Sequence, residues 1–227
     1  MITVASIMRN EADRLLTKVL PVWQQFADRI VVLDDGSTDE TAAICRDHGC
    51  EVHEQPPTMF KNEWVARKAL WELVQDSEWV LHLDADQIPA GDPRKYYEGQ
   101  PAPLILYPLY DMWSETHYRS DPWWQGHTKA WWASVHVPSF KGHPHEWNKR
   151  GWHSGHIPSN LGGPVFRMPR EKSILHYAYY TPELRQQKAE MYGQLGEVLS
   201  EKERFHAATI LKDCKTIPLP FQPEYSL

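Results

Sequence analysis

Two carboxylates, Asp84 and Asp86, stand two residues apart directly behind the apolar run Trp79-Val80-Leu81-His82-Leu83. In extended chain, residues two apart project to the same side, so both can face one cation. A small set of hard oxygen ligands suits Mg2+ or Mn2+, which keep open positions for phosphate oxygens. Acidic pairs at strand ends also arise without function, so this pair gains meaning from its surroundings. Those surroundings are acidic too. Asn10 and Glu11 follow one β-rich run, residues 3–8, and Asp34 and Asp35 follow another, residues 29–33. Carboxylates gathered at three strand ends would repel one another unless something positive lay among them. A divalent cation carrying a phosphate ligand is the simplest candidate.

The elements that must position these groups are legible in the same stretch. Residues 50–53 and 79–83 also read as β-strands. Between the first two strands, Leu15, Leu16, Val19, Leu20 and Trp23 recur at helical spacing. Ser37-Thr38-Asp39-Glu40 has the form of a capping box, with the Ser37 hydroxyl accepting from the Glu40 amide and Glu40 reaching back. The helix it opens is expected to run to about His48 and to stop at Gly49. A third helix is expected over residues 62–75, with Trp64, Ala66 to Leu70 and Leu73 on a broad apolar face. Strands alternating with helices imply an α/β fold with parallel pairing through right-handed crossovers. In such sheets ligands bind beyond the carboxyl ends of the strands, where all the acidic groups fall.

In order and spacing, Ile7-Met8-Arg9-Asn10-Glu11, the block from Val31 to Thr41 containing Asp34-Asp35-Gly36-Ser37-Thr38-Asp39-Glu40, and Leu83-Asp84-Ala85-Asp86 resemble the three N-terminal signatures of glycosyltransferase family 2. The resemblance implies a GT-A fold: a mostly parallel central sheet with helices on both faces. It implies sugar transfer from a nucleotide donor of uridine or similar type. Ser6, Asn10 and Glu11 would then contact the nucleoside, Asp35 the base, and Asp84 and Asp86 a metal-bound diphosphate. Ala66-Arg67-Lys68 resembles the family's Ala-Arg-Asn, which brings Arg67 to the donor phosphates, with Lys68 in place of the usual Asn. Ile174-Leu175-His176-Tyr177, with Thr181-Pro182-Glu183, Lys188 and Tyr192, is similar to the ending of small bacterial members that build lipopolysaccharide cores. His176 can there be a third metal ligand. Thr181-Pro182 also reads as a helix start, placing Lys188 and Tyr192 one turn apart on one face. Taken singly, Asn10 and Glu11 equally suit a helix cap, Asp35 a turn and His176 a core strand.

Inverting transfer needs a base, because an acceptor hydroxyl is a poor nucleophile near neutral pH. The Glu-Asp dipeptide often used in the family is missing from the sequence. His145-Glu146 resembles a His-Glu pair of the same small bacterial members, which makes Glu146 the expected base, with Asp111, Glu115 and Asp121 as rivals. Seven of the eleven Trp and seven of the twelve His lie between Trp113 and His156. That bias marks the middle of the chain as an irregular, aromatic, loop-rich layer, and the resemblance implies a nucleotide-sugar half, residues 1–100, and an aromatic acceptor half, residues 101–227, within one domain. Trp123-Trp124 and Trp131-Trp132 suit stacking on a sugar face or a nucleobase, and equally the filling of a loop-rich core. The expected acceptor is a hydroxyl on a glycan or lipid-linked saccharide. Basic residues between Lys129 and Lys172 leave a hydroxylated base of phage DNA as a variant.

Other classes lose ground. With 24 Lys+Arg against 30 Asp+Glu the net charge is −6, unsuited to nucleic-acid binding mainly through phosphates. No GxGxxG follows the first strand and no GxxxxGK[ST] occurs, which disfavours Rossmann and P-loop enzymes. A zinc hydrolase built on His143, His145, Glu146, His153 and His156 lacks the helix-borne HExxH spacing. An inactive sugar-binding module is at odds with intact Asp84 and Asp86. Three cysteines without a CxxC fit a reduced compartment. No run approaches the ~20 apolar residues that span a bilayer, and residues 2–8 are too few for a signal-peptide core. The expectation is a soluble, cytoplasmic enzyme.

Overall fold

The computed structural model describes residues 1–120, 131–149, 155–195, 199 and 201–227. Strands β1 (Ile2–Met8), β2 (Arg29–Asp34), β3 (Glu51–Glu54) and β4 (Trp79–His82) lie in the order β3-β2-β1-β4, all parallel. The crossovers carry helices α1 (Leu16–Trp23), α2 (Thr41–Asp47) and α3 (Met59–Leu73). Alternation along each strand sorts the core into two layers. Val4 and Met8 of β1 pack with Leu16, Val19, Leu20 and Trp23 of α1 and Cys45 of α2. Ala5 and Ile7 pack instead with Ala66, Leu70 and Trp71 of α3. Helices therefore cover both faces, and strands buried on both faces read as near-continuous apolar runs. Each fully buried aliphatic contributes about 1.5–3 kcal/mol against exposure.

The C-terminal half adds β5 (Gln87–Pro89), β6 (Leu104–Asp111), β7 (His117–Arg119), β8 (Trp131–His136), β9 (Val165–Arg167), β10 (Ile174–His176) and β11 (Thr216–Pro218). Among the described residues nine strands form one sheet, which continues past β4 as β8-β6-β10-β5 with β9 beside β6. Strand β8 runs antiparallel to both β4 and β6, whereas β10 is parallel to β6 and antiparallel to β5. The parallel half thus passes into a mixed half. Strands β7 and β11 form a separate pair, and helices α4 (Pro182–Leu195) and α5 (Glu201–Thr209) lie between β10 and β11 in the chain. The tryptophan- and proline-rich composition hid these strands, so the region is more regular than expected. No helix among the described residues is long and apolar enough to cross a membrane.

Several local expectations change. Helix α2 begins at Thr41 without the Ser37–Glu40 capping box, and Glu40 makes no side-chain cap bond. The Ser37 hydroxyl accepts the Asn10 amide at 3.0 Å instead, and Asp39 Oδ1 takes the Thr41 amide at 3.0 Å. A neighbouring strand end has outcompeted the helix for that hydroxyl. Gly49, at φ +73°, does end α2. Helix α3 starts and stops earlier than residues 62–75, and Asn62 within it is non-helical. Its buried face comprises Glu63, Ala66, Arg67, Leu70, Trp71 and Val74, a charged pair set into an apolar stripe. Finally, Asp84 to Asp86 are not extended. Strand β4 ends at His82, and the Gln87 amide bonds to the Asp84 carbonyl at 3.0 Å, closing a turn. Alternation along an extended strand therefore does not set the direction of the two carboxylates, and each meets different partners.

Candidate active site at the strand ends

The loops that leave β1 and β2 are stitched together. Asn10, at φ 54°, holds a left-handed conformation that Asn tolerates better than most residues. Its Oδ1 accepts the Thr38 amide at 2.8 Å, and the next amide, of Glu11, donates to Thr41 Oγ1 at 2.8 Å. Gly36 sits at φ +75°, and a Cβ there would lie 2.7 Å from Cδ of Pro57, so only glycine fits. Asp35 is fully buried. Its carboxylate accepts from Gln55 Nε2 at 2.6 Å, Thr58 Oγ1 at 2.9 Å and the Thr58 amide at 2.8 Å. Ser6 is buried inside β1, and its hydroxyl has no hydrogen-bond partner among the described residues.

A second group follows from α3. Residues four apart stack on one helix face, and here Glu63, Arg67 and Trp71 do so. Arg67 donates to Glu63 Oε1 through Nε at 3.0 Å and Nη2 at 2.8 Å. The same Nη2 lies 3.6 Å from Asp84 Oδ1. One turn on, Trp71 Nε1 donates to His145 Nδ1 at 3.0 Å. Burial raises the Asp84 carboxyl above its ordinary range; Arg67 opposes this and Asp86 adds to it.

Strand register supplies the third group. His176 is opposite Asp111 in the parallel β10–β6 pairing and opposite Gln87 in the antiparallel β10–β5 pairing. Its Nδ1 is 2.6 Å from Asp111 Oδ1, and its Nε2 is 3.4 Å from Asp86 Oδ1. Burial works against the imidazolium, but the Asp86 charge and the Asp111 hydrogen bond outweigh it and lift His176 to about 9. Burial likewise works against the Asp86 carboxylate, yet His176, Lys188 and Arg14 hold it well below the usual range. Glu11 goes the other way. Burial, with Asp86 and Asp84, pushes it up to about 7 against the pull of Arg14 and Lys188.

The positive charge that the sequence demands among these carboxylates thus comes from Arg14, Arg67, His176 and Lys188. Arg14 is absent from the sequence-based candidates, although its place three residues after Glu11 on a helical approach was a visible signal. Asp111 carried no local signal for a part beside His176, because only the pairing of β10 with β6 joins them.

Glu146 is exposed on the loop after β8. Its amide donates to Asn160 Oδ1 at 2.9 Å and its carbonyl accepts the Ser159 amide at 2.8 Å. Among the described residues nothing hydrogen-bonds its carboxylate. Its rival Asp111 is 2% exposed and engaged with His176. Glu115 is exposed and lines a cavity of about 370 Å3 with Tyr177, Tyr180 and Phe221. Asp121, Trp123, Trp124, Lys129 and His153 lie outside the described residues. Among the described residues no three His, Cys, Asp or Glu side chains form a ready-made metal cluster, neither near His143 nor at Asp84, Asp86 and His176. The donor chemistry at the latter site nonetheless fits a hard cation. At 3.4 Å the His176 contact is long for a charge-assisted bond, which leaves Asp86 Oδ1 buried without a hydrogen bond. Asp84 is 35% exposed beside it.

Residues 3–94, which hold the first group, the α3 side chains of the second and both carboxylates of the turn, match the model of glycosyl transferase family 2. An uncharacterized glycosyltransferase of Rickettsia bellii is 32% identical over 81 residues, which is 36% of this chain and 26% of that protein. One from Rickettsia felis is likewise 32% identical over 81 residues, 36% of this chain and 27% of its own length. The chain therefore spans about a quarter of the length of these relatives. Among solved structures, S. aureus TarS 1-349 in complex with UDP-GlcNAc matches with a TM-score of 0.54 at 14% identity, over 92% of this chain and 70% of that one. The longer S. aureus TarS chain matches with 0.53 at 14% identity, over 92% of this chain and 42% of its own. The shared architecture is of the GT-A type.

Proposed function

We propose that the chain is a metal-dependent, inverting glycosyltransferase that takes its sugar from a nucleotide-diphosphate donor. The observation that carries this reading is the meeting of Glu11, Asp84, Asp86 and His176 at the carboxyl ends of β1, β4 and β10. Ser6, Asn10, Glu11 and Asp35 are assigned to the nucleoside, and Arg67 and Asp84 to the donor phosphates. Asp84, Asp86 and His176 would hold Mn2+ or Mg2+, whose charge would offset that of the departing diphosphate. Arg67 lies with its guanidinium at Asp84, where phosphate oxygens can take its hydrogen bonds. The UDP-GlcNAc complex of TarS supports a UDP-sugar as the donor class to test first.

Glu146 is assigned as the base. Its unengaged carboxylate would take the acceptor hydroxyl's proton as that oxygen bonds to the anomeric carbon and the diphosphate departs from the opposite face. The neighbouring His145 is fixed to Trp71, one turn beyond Arg67 on α3, which ties the loop of Glu146 to the donor side. The acceptor is assigned as a hydroxyl of a glycan or lipid-linked saccharide, received by residues 101–227. Calorimetry of UDP-sugar binding with and without Mn2+ tests the core of this reading. Wild-type protein should bind more tightly with Mn2+, and Asp86→Ala should lose that gain while staying folded. Mn2+-dependent affinity unchanged in Asp86→Ala would overturn the metal assignment, and no UDP-sugar binding by the wild type would overturn the donor.

A further inference from the structure

We propose that Asp111 is a positioning residue: it fixes the tautomer and the ring plane of His176, so that Nε2 presents its lone pair beside Asp86. The proposal rests on the metal reading above. An imidazole that ligates a cation through Nε2 must carry its one proton on Nδ1. Asp111 Oδ1 lies 2.6 Å from that nitrogen, a short distance typical of a charged acceptor. The opposite tautomer would set a lone pair of Nδ1 against a carboxylate oxygen at 2.6 Å, which is repulsive. In the imidazolium and in the neutral ring alike, Nδ1–H therefore donates to Asp111, and the proton that a cation would displace is the one on Nε2, 3.4 Å from Asp86 Oδ1.

The fold holds this arrangement on both sides. Asp111 ends β6 and His176 ends β10, and the two are register partners in a parallel pairing. The Met112 amide then donates to the His176 carbonyl at 2.8 Å, and the Tyr177 amide to the Asp86 carbonyl at 2.7 Å. Ring, carboxylate and the Asp86 turn are thus fixed to one another by backbone, and Asp111 is 2% exposed. Tyr179 closes on the imidazole edge-on, with ring centroids 5.5 Å apart. A carboxylate behind a ligating histidine orients the ring and raises its basicity, and losing it typically costs about 10–100-fold in metal affinity.

Electron paramagnetic resonance of free Mn2+, titrated with the full chain, gives the affinity directly. Asp111→Asn should weaken Mn2+ binding about 10–100-fold, as His176→Ala should. The double variant should bind no more weakly than His176→Ala alone, because Asp111 acts through that ring. Normal Mn2+ affinity in Asp111→Asn, or losses that simply add in the double variant, would overturn the proposal and leave the metal assignment standing. A wild type that binds UDP-sugar but no Mn2+ would remove the cation, and this proposal with it, while sparing the transferase reading. Should Asp111→Asn fail to fold, long-range 1H–15N spectra of the wild type with Mg2+ decide. They should show His176 protonated at Nδ1 and not at Nε2, and a proton on Nε2 in the Mg2+-loaded chain would overturn the proposal.

Discussion

Arg14 holds Glu11 through a single guanidinium nitrogen, Nη1, which lies 3.0 Å from both carboxylate oxygens. Its Nη2 is 3.6 Å from Asp86 Oδ2, so one cation ties the end of β1 to the turn after β4. All three side chains are mostly buried. Removing the cation from such a set strands two carboxylates, which typically costs about 3–5 kcal/mol. Arg14→Met should therefore lower the urea midpoint sharply, and Arg14→Met with Glu11→Gln should recover part of the loss. Equal midpoints for wild type and Arg14→Met would show that solvent or Lys188 already neutralises the pair.

His82 sets a pH limit on the fold. It is wholly buried against Trp71, ring centroids 6.4 Å apart, and among the described residues neither ring nitrogen is hydrogen-bonded. Burial, with Arg67 adding to it, pushes its pKa from 6.5 down to about 3. Below pH 6.5 the unfolded chain takes a proton that the folded one refuses. Stability is fully present above 6.5 and drains as pH falls toward 3, by up to about 1.4 kcal/mol per unit. His82→Phe should flatten that decline, measured as urea midpoints from pH 7.5 to 4.5. Parallel curves would mean that the folded chain protonates His82 freely.

Asp35 has two duties to separate. Its buried carboxylate pins Gln55 and Thr58 as a fold contact, and it is assigned to the nucleobase. Asp35→Ala should cost about 1.5–3 kcal/mol of stability and also weaken UDP binding several-fold. Gln55→Ala removes one donor and spares the carboxylate, so it should lose less stability and keep UDP affinity. If calorimetry gives Asp35→Ala the affinity of the wild type, the residue serves the loop alone.

Glu146→Gln keeps shape but cannot take a proton, and losing a general base typically costs about 10²–10⁴ in rate. Donor binding should survive, since no donor residue touches it. Near-normal transfer by this variant, measured once an acceptor supports turnover, would move the base to another carboxylate, with Glu115 the exposed rival. Loss of UDP binding would instead place Glu146 on the donor side.

The N-terminal strands and helices were legible because both faces of β1, β2 and β4 are covered, and their apolar runs stand out in any window. The acidic strand ends were legible for the same reason: they follow where those runs stop. What lies between the carboxylates was not. Arg14 counts only once the turn at Asp84–Gln87 brings Asp86 to it. Asp111 counts only once β10 pairs with β6, 65 residues away in sequence. Ser37 carried a strong local signal for a helix cap, yet Asn10 from another strand took its hydroxyl. Local patterns thus gave the frame and the candidate acids, while register and turn closure decided which side chains meet.

Strand β8 lies between β4 and β6, although it follows both in the chain. Residues 1–100 by themselves would consequently present β4 as a bare edge, a row of unpaired amides and carbonyls that invites another chain. The same insertion sets an order of events in folding. The N-terminal half can assemble from near neighbours through α1, α2 and α3, but its sheet stays open until Trp131–His136, far on in the sequence, arrive. Pairings of that span are slow to form, so refolding should show a fast phase in the N-terminal layer and a slower one when the seam at β8 closes.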